Sequence, residues 1–134
     1  MGCCSGPDAV PVAKVILVVE DDFLIRLIIS DELTAQGFQV IQAATADEAL
    51  RVLQAGVMID LILTDVRMPG TLDGLELARR VRVNWPRVKV IVVSGDLPSM
   101  PSDGSADLFF AKPYNAAYVC DAVKQLLAIS DDQS

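Results

Sequence analysis

Five side chains of this sequence could do chemistry together. Glu20 and Asp21 follow the apolar run Lys14–Val19, Asp65 follows Ile59–Thr64, Ser94 follows Lys89–Val93, and Lys112 follows Leu108–Ala111. Each therefore stands directly behind a Val/Ile/Leu/Phe-rich run. A lone acid in such a place is usually a helix cap; its recurrence behind separate runs is the signal. Two carboxylates about 4 Å apart repel by roughly 4 kcal/mol at an effective dielectric of about 20. A cluster of them needs a proton or a cation. A hard divalent ion with oxygen ligands that keeps some of its waters suits it, which points to Mg²⁺, with Lys112 as a fixed counter-charge. The same charges can neutralise an incoming phosphoryl group. Phosphoryl transfer depends mainly on positioning and charge neutralisation, and a carboxylate can be its nucleophile. The chain has no histidine, so the commonest general base and metal ligand is excluded.

These groups meet only if the runs are strands of one parallel sheet. The pattern supports that. Lys14–Val19, Phe38–Gln42, Ile59–Thr64, Lys89–Val93 and Leu108–Ala111 read as strands. Between them lie helical segments. Asp22 caps one that ends near Gln36, with Gly37 as its left-handed terminator. Thr45 caps one through about Ala55, with Asp47 and Glu48 in the first turn where the helix dipole favours acids. Others run from about Leu75 to Asn84 and from about Asn115 to Ala128. Alternation of strands and helices implies right-handed crossovers and a doubly wound five-stranded parallel sheet, an α/β fold. Ligands on such sheets gather at the carboxyl ends of the strands, where all five groups stand. From Ser94 to Phe109 helical periodicity fails, so the fourth helix is expected to be shortened or missing.

Composition narrows the function classes. The 134 residues suit one domain. Residues 1–11 read as a flexible tail, 12–128 as the folded domain and 129–134 as a polar tail. Hydrophobic residues make up 52% of the chain, but no run is long enough to span a bilayer, and the opening residues do not read as a secretory signal. Eighteen acids against 11 bases give a net charge of −7. The cations Arg79, Arg80, Arg82, Arg87 and Lys89 read as the wet face of a helix and its following loop rather than a nucleic-acid stripe. Cys3, Cys4 and Cys120 form no disulfide framework, which argues for a reducing, cytoplasmic setting. The opening MGCC lacks the Ser or Thr of a myristoylation signal, Gly6 standing there instead.

Five pieces, VVEDD (Val18–Asp22), LILTDVRMPG (Leu61–Gly70), DGLEL (Asp73–Leu77), VVSGD (Val92–Asp96) and FFAKPY (Phe109–Tyr114), occur in an order and spacing that resemble the receiver domain of two-component response regulators. The resemblance covers about residues 13–128 and implies a fold of the flavodoxin or CheY-like type with strand order 2-1-3-4-5. It implies that Asp65 is the phosphoacceptor and that Asp21 binds Mg²⁺ directly, with Glu20 beside it. It implies that the backbone carbonyl of Arg67 completes the metal shell, and that Ser94 and Lys112 contact the phosphoryl group. Ser94 and Phe109 take the switch positions, and Pro113 the structural position that often carries a cis bond. The implied partners are a histidine kinase or histidine phosphotransfer protein and a downstream protein target, with no nucleic acid or membrane. Homodimerisation is left open. The implied activity is a signalling switch that catalyses only its own phosphorylation and dephosphorylation, in a stand-alone or excised receiver.

Three features depart from the family pattern. The MPGTLDG loop is one residue longer, Phe109 has no hydroxyl, and the stretch from Ser94 to Lys112 is shorter. Two other readings compete. An aspartate-nucleophile phosphatase wants a second acid two residues after the nucleophile, where Arg67 stands. A receiver-like interaction module that no longer switches would keep the acids without the phosphorylation.

Overall fold

The structure is a computed structural model that describes residues 13–67, 70, 72–95 and 103–132. Five strands, β1 (Val15–Val19), β2 (Gln39–Ala43), β3 (Leu61–Asp65), β4 (Lys89–Ser94) and β5 (Leu108–Ala111), form one sheet in the order β2-β1-β3-β4-β5. Every neighbouring pair is parallel. The helices are α1 (Phe23–Ala35), α2 (Ala46–Gln54), α3 (Gly74–Asn84) and α4 (Ala116–Asp132). The fold class is the one expected from the alternation of segments, and the strand order is the one the resemblance implies. Among the described residues no helix lies between β4 and β5, in keeping with the expected reduction there.

The central strands are apolar on both faces because helices cover both faces. Leu17 and Val19 of β1, Ile62 of β3, and Val90 and Val92 of β4 join Ala49 and Leu53 of α2 and Leu77 and Val81 of α3 in one buried cluster. Their strand neighbours Ile16, Val18, Leu61, Leu63, Ile91 and Val93 pack with Ile29 and Leu33 of α1 and Val119, Cys120, Val123 and Leu127 of α4 in the other. This is the period-two alternation of a pleated strand, and it holds all strand ends in register. Cys120 is buried and free, the core position its neighbours suggest.

The caps set where each helix leaves the sheet edge. The Asp22 carboxylate accepts from the N–H groups of Leu24 and Ile25 at 3.0 and 3.1 Å. Thr45 accepts from Glu48 N–H at 3.0 Å, and Glu48 in return accepts from Ala44 N–H at 2.8 Å, a variant of the capping box. Asp73 and Asn115 do the same for α3 and α4. At the C-terminus of α1, Gly37 takes φ 99°, the left-handed cap conformation.

Some boundaries differ from expectation. Asp60 stands before β3, because its carboxylate accepts from Val15 N–H at 2.8 Å and its own N–H donates to Val15 O at 2.9 Å. It brackets β1 from outside the ladder. α4 continues to Asp132, past the expected end at Ala128. Residues 1–12, including Cys3 and Cys4, lie outside the described residues, as do Met68, Pro69, Thr71 and 96–102. The expected loop lengthening after Arg67 and much of the Ser94–Phe109 stretch therefore fall there.

Candidate functional site

The carboxyl edge of the sheet gathers the expected groups. Glu20 and Asp21 leave β1, Asp65 ends β3, Ser94 ends β4, and Lys112 follows β5. Glu20, Asp65 and Ser94 are only 3%, 6% and 1% exposed, whereas Asp21 is exposed. Glu20, Asp21 and Asp65 each bring a carboxylate oxygen to within 4.8 Å of the others. The Lys112 ammonium lies between two of them, donating to Glu20 Oε1 at 2.8 Å and to Asp65 Oδ2 at 2.9 Å.

The three neighbouring acids that follow β1 have separate tasks. Glu20 turns inward, and its Oε2 accepts from Asp22 N–H at 3.1 Å. Asp21 completes the carboxylate cluster. Asp22 caps α1. Burial pushes the Glu20 carboxyl above its ordinary range; the Lys112 and Asp22 hydrogen bonds oppose this, and the Asp65 charge adds to it. Burial alone would lower Lys112, but its hydrogen bonds to Asp65 and Glu20 outweigh that and hold the ammonium above its ordinary value. Lys112 is thus charged at neutral pH. Three carboxylates against one ammonium leave an excess of two negative charges, which a divalent ion matches. The donor set, all oxygen and partly open to water through Asp21, fits Mg²⁺ rather than a softer metal.

The other expected residues sit around this centre. Arg67 is exposed, two positions after Asp65. Lys112 N–H donates to the Ser94 carbonyl at 2.9 Å, tying β5 to the end of β4. The Lys112–Pro113 peptide is cis. Phe109 is half-buried against the cluster beneath α2 and α3. Tyr114, its phenol pushed up to about 12 mainly by burial, lines a cleft of about 390 Å³ with Ile25, Ile28, Lys112, Pro113 and Ala116.

Two further residues support the site, and neither has a role evident from sequence. Gly74 opens α3 against the backbone of Asp65. A Cβ built there would lie 1.8 Å from the Asp65 carbonyl oxygen, and Gly74 N–H donates to Val66 O at 2.9 Å. The available signal was a glycine directly after a capping Asp, where a helix former is expected. Arg26 was the second; it donates to the Glu20 carbonyl oxygen at 2.7 Å.

The sequence model described as "Response regulator receiver domain" matches residues 16–124. The chain belongs to the response regulator receiver domain family. Among curated relatives, this receiver is similar to sporulation initiation phosphotransferase F of Bacillus subtilis, at 31% identity over 121 residues, covering 87% of this chain and 96% of that protein. The receiver spans less than two thirds of several longer curated relatives that it also matches. Among solved structures it is similar to a CheY-like response regulator receiver domain protein of Methanospirillum hungatei, with TM-score 0.80, 27% identity, and coverage of 92% and 100% of the two chains. It is also similar to the response regulator protein TrrA of Thermotoga maritima in complex with Mg(2+)-BeF, with TM-score 0.74, 33% identity, and coverage of 84% and 98%. The receiver is thus a two-component signalling module, and among its described residues no helix is long and apolar enough to cross a membrane.

Proposed function

We propose that Asp65 of this receiver accepts a phosphoryl group from a phosphohistidine on a histidine kinase or histidine phosphotransfer protein, and that the acyl phosphate switches binding of a downstream protein in the cytoplasm. The observation that carries this reading is the Lys112 ammonium, 2.9 Å from Asp65, inside a cluster of three carboxylates. Glu20, Asp21, Asp65 and the backbone carbonyl of Arg67 would hold Mg²⁺. When bound, the ion supplies charge neutralisation at the phosphoryl oxygens.

The chain's own residues do the rest. A carboxylate oxygen of Asp65 attacks phosphorus in line. The phosphorus–nitrogen bond breaks, and its electron pair leaves with the imidazole. Lys112 exchanges part of its pairing with Glu20 and Asp65 for the new phosphoryl oxygens. The Ser94 hydroxyl donates to another of these oxygens, and Phe109 follows into the space that Ser94 vacates. The phosphoryl group must favour this arrangement over the unphosphorylated one, because equal affinity for both shifts nothing. Water later attacks phosphorus, releasing inorganic phosphate and restoring the carboxylate, so self-catalysed turnover resets the switch. The unit that does this is taken as residues 12–128. Apolar side chains in the cleft beside Lys112, with exposed Leu24 and Ile28 on α1, offer the donor protein a surface next to the site.

Phosphoramidate, a small donor with a phosphorus–nitrogen bond, tests the reaction. An acyl-phosphate signal in ³¹P NMR is expected from wild type and not from Asp65→Asn. The same signal from Asp65→Asn would overturn the assignment.

A further inference from the structure

Arg26 occupies a place that the site chemistry does not explain by charge. It stands on α1, one turn after the Asp22 cap, next to an edge that carries Glu20, Asp21 and Asp22. Its Nη1 donates to the backbone carbonyl of Glu20 at 2.7 Å, and its Nε donates to the side-chain oxygen of Gln42 at 3.1 Å. Its guanidinium also lies 5.5 Å from the centre of the Phe23 ring. Among the described residues its hydrogen bonds go to a carbonyl and an amide, and none goes to a carboxylate.

The carbonyl it takes is the informative one. β1 ends at Val19, so the peptide joining Glu20 to Asp21 lies beyond the last strand residue. That peptide is planar. Fixing its carbonyl therefore constrains ψ of Glu20 and φ of Asp21 together, the two torsions that set the relative direction of the Cα–Cβ bonds from which both carboxylates hang. Glu20 N–H is held from the other side by Ala43 O at 3.1 Å, and Gln42 is the preceding residue of the same strand. Arg26 thus joins the end of β1 to the end of β2 while gripping the joint between two acids.

We propose that Arg26 is a positioning residue: it sets the Glu20–Asp21 peptide so that both carboxylates face a divalent cation. This rests on reading Glu20, Asp21 and Asp65 as the Mg²⁺ site. Two effects of Arg26 have opposite signs. As a nearby positive charge it opposes a cation, and its removal would tighten binding. As a positioning group it favours binding, and its removal loosens it, typically by about 10-fold or more for residues that orient metal ligands.

The experiment is Mg²⁺ titration by isothermal calorimetry on full-length wild type, Arg26→Ala and Arg26→Lys, with thermal unfolding of each. About 10-fold weaker binding is expected for Arg26→Ala, with a folded, cooperative melt. Arg26→Lys keeps the charge and a single donor nitrogen but loses the planar two-point grip, so a smaller loss is expected, a partial rescue. Unchanged or tighter binding in Arg26→Ala overturns the proposal, since charge alone then accounts for the residue. Should Arg26→Ala fail to fold, Arg26→Lys decides: affinity equal to wild type overturns the proposal and weaker affinity supports it. Absence of Mg²⁺ binding by folded wild type overturns the site reading itself, and the proposal with it, which distinguishes the two failures.

Discussion

Three consecutive acids at the end of a buried strand are tolerable here because each has a different neighbour. Glu20 meets the Lys112 ammonium, Asp22 meets free helical N–H groups, and Asp21 faces water. The arrangement is still costly without a metal. Burial and the Asp65 charge raise the Glu20 carboxyl despite its lysine. Removing one negative charge should therefore stabilise the metal-free protein. Asp21→Asn is expected to gain on the order of 1 kcal/mol in urea unfolding without divalent ions, the scale of a relieved surface-edge repulsion. It is also expected to lose the stabilisation that Mg²⁺ gives wild type, about 1.4 kcal/mol at ten times Kd. A variant no more stable than wild type without metal, yet equally responsive to Mg²⁺, would remove Asp21 from the site.

At the scale of elements, α3 holds Asp65 and the segment before β5. Its first residue rests on the Asp65 backbone, and Gly74→Ala must push that contact apart. A loss of about 2 to 3 kcal/mol is expected from overpacking at this joint, read by urea unfolding; an unchanged midpoint would show that α3 is free to shift. Farther along α3, Arg79 pairs with Asp103 at 2.9 Å and Arg82 with Asp107 at 3.0 Å. These bonds tether residues 103–107 where no helix lies among the described residues. Asp103 is held at about 2, below the ordinary 3.8, first by the Ser105 hydroxyl and then by Arg79. A lowered carboxyl gives its stabilisation above the ordinary value and loses it as pH falls through the folded one. The tether should persist at pH 4 and release between about 3.8 and 2. Carboxyl NMR titration checks this: Ser105→Ala should move the Asp103 midpoint upward, and an unmoved midpoint would contradict the assigned cause.

Across the whole molecule, the sheet was legible because Val, Ile and Leu fill both faces of its central strands, and Asp22, Thr45 and Gly37 mark helix ends by side-chain and backbone chemistry that acts locally. The site was legible because a parallel sheet puts every carboxyl strand end on one edge, which brings residues far apart in sequence together. Gly74, Arg26 and Asp60 were not legible, because their roles are contacts between elements: a helix start on a strand carbonyl, a guanidinium on the joint between two acids, a carboxylate bracketing a neighbouring strand. The continuation of α4 past Ala128 had no sequence marker, since its last turn carries neither an apolar pattern nor a Gly or Pro to set a boundary. The account as a whole stands on Asp65 being the nucleophile of a metal-dependent phosphoryl transfer. Intact mass after incubation with acetyl phosphate and Mg²⁺ tests it most directly, with wild type beside Asp65→Asn. A single phosphoryl adduct is expected on wild type only, and none once the metal is chelated. An adduct on Asp65→Asn, or one that forms equally well without metal, would contradict the account.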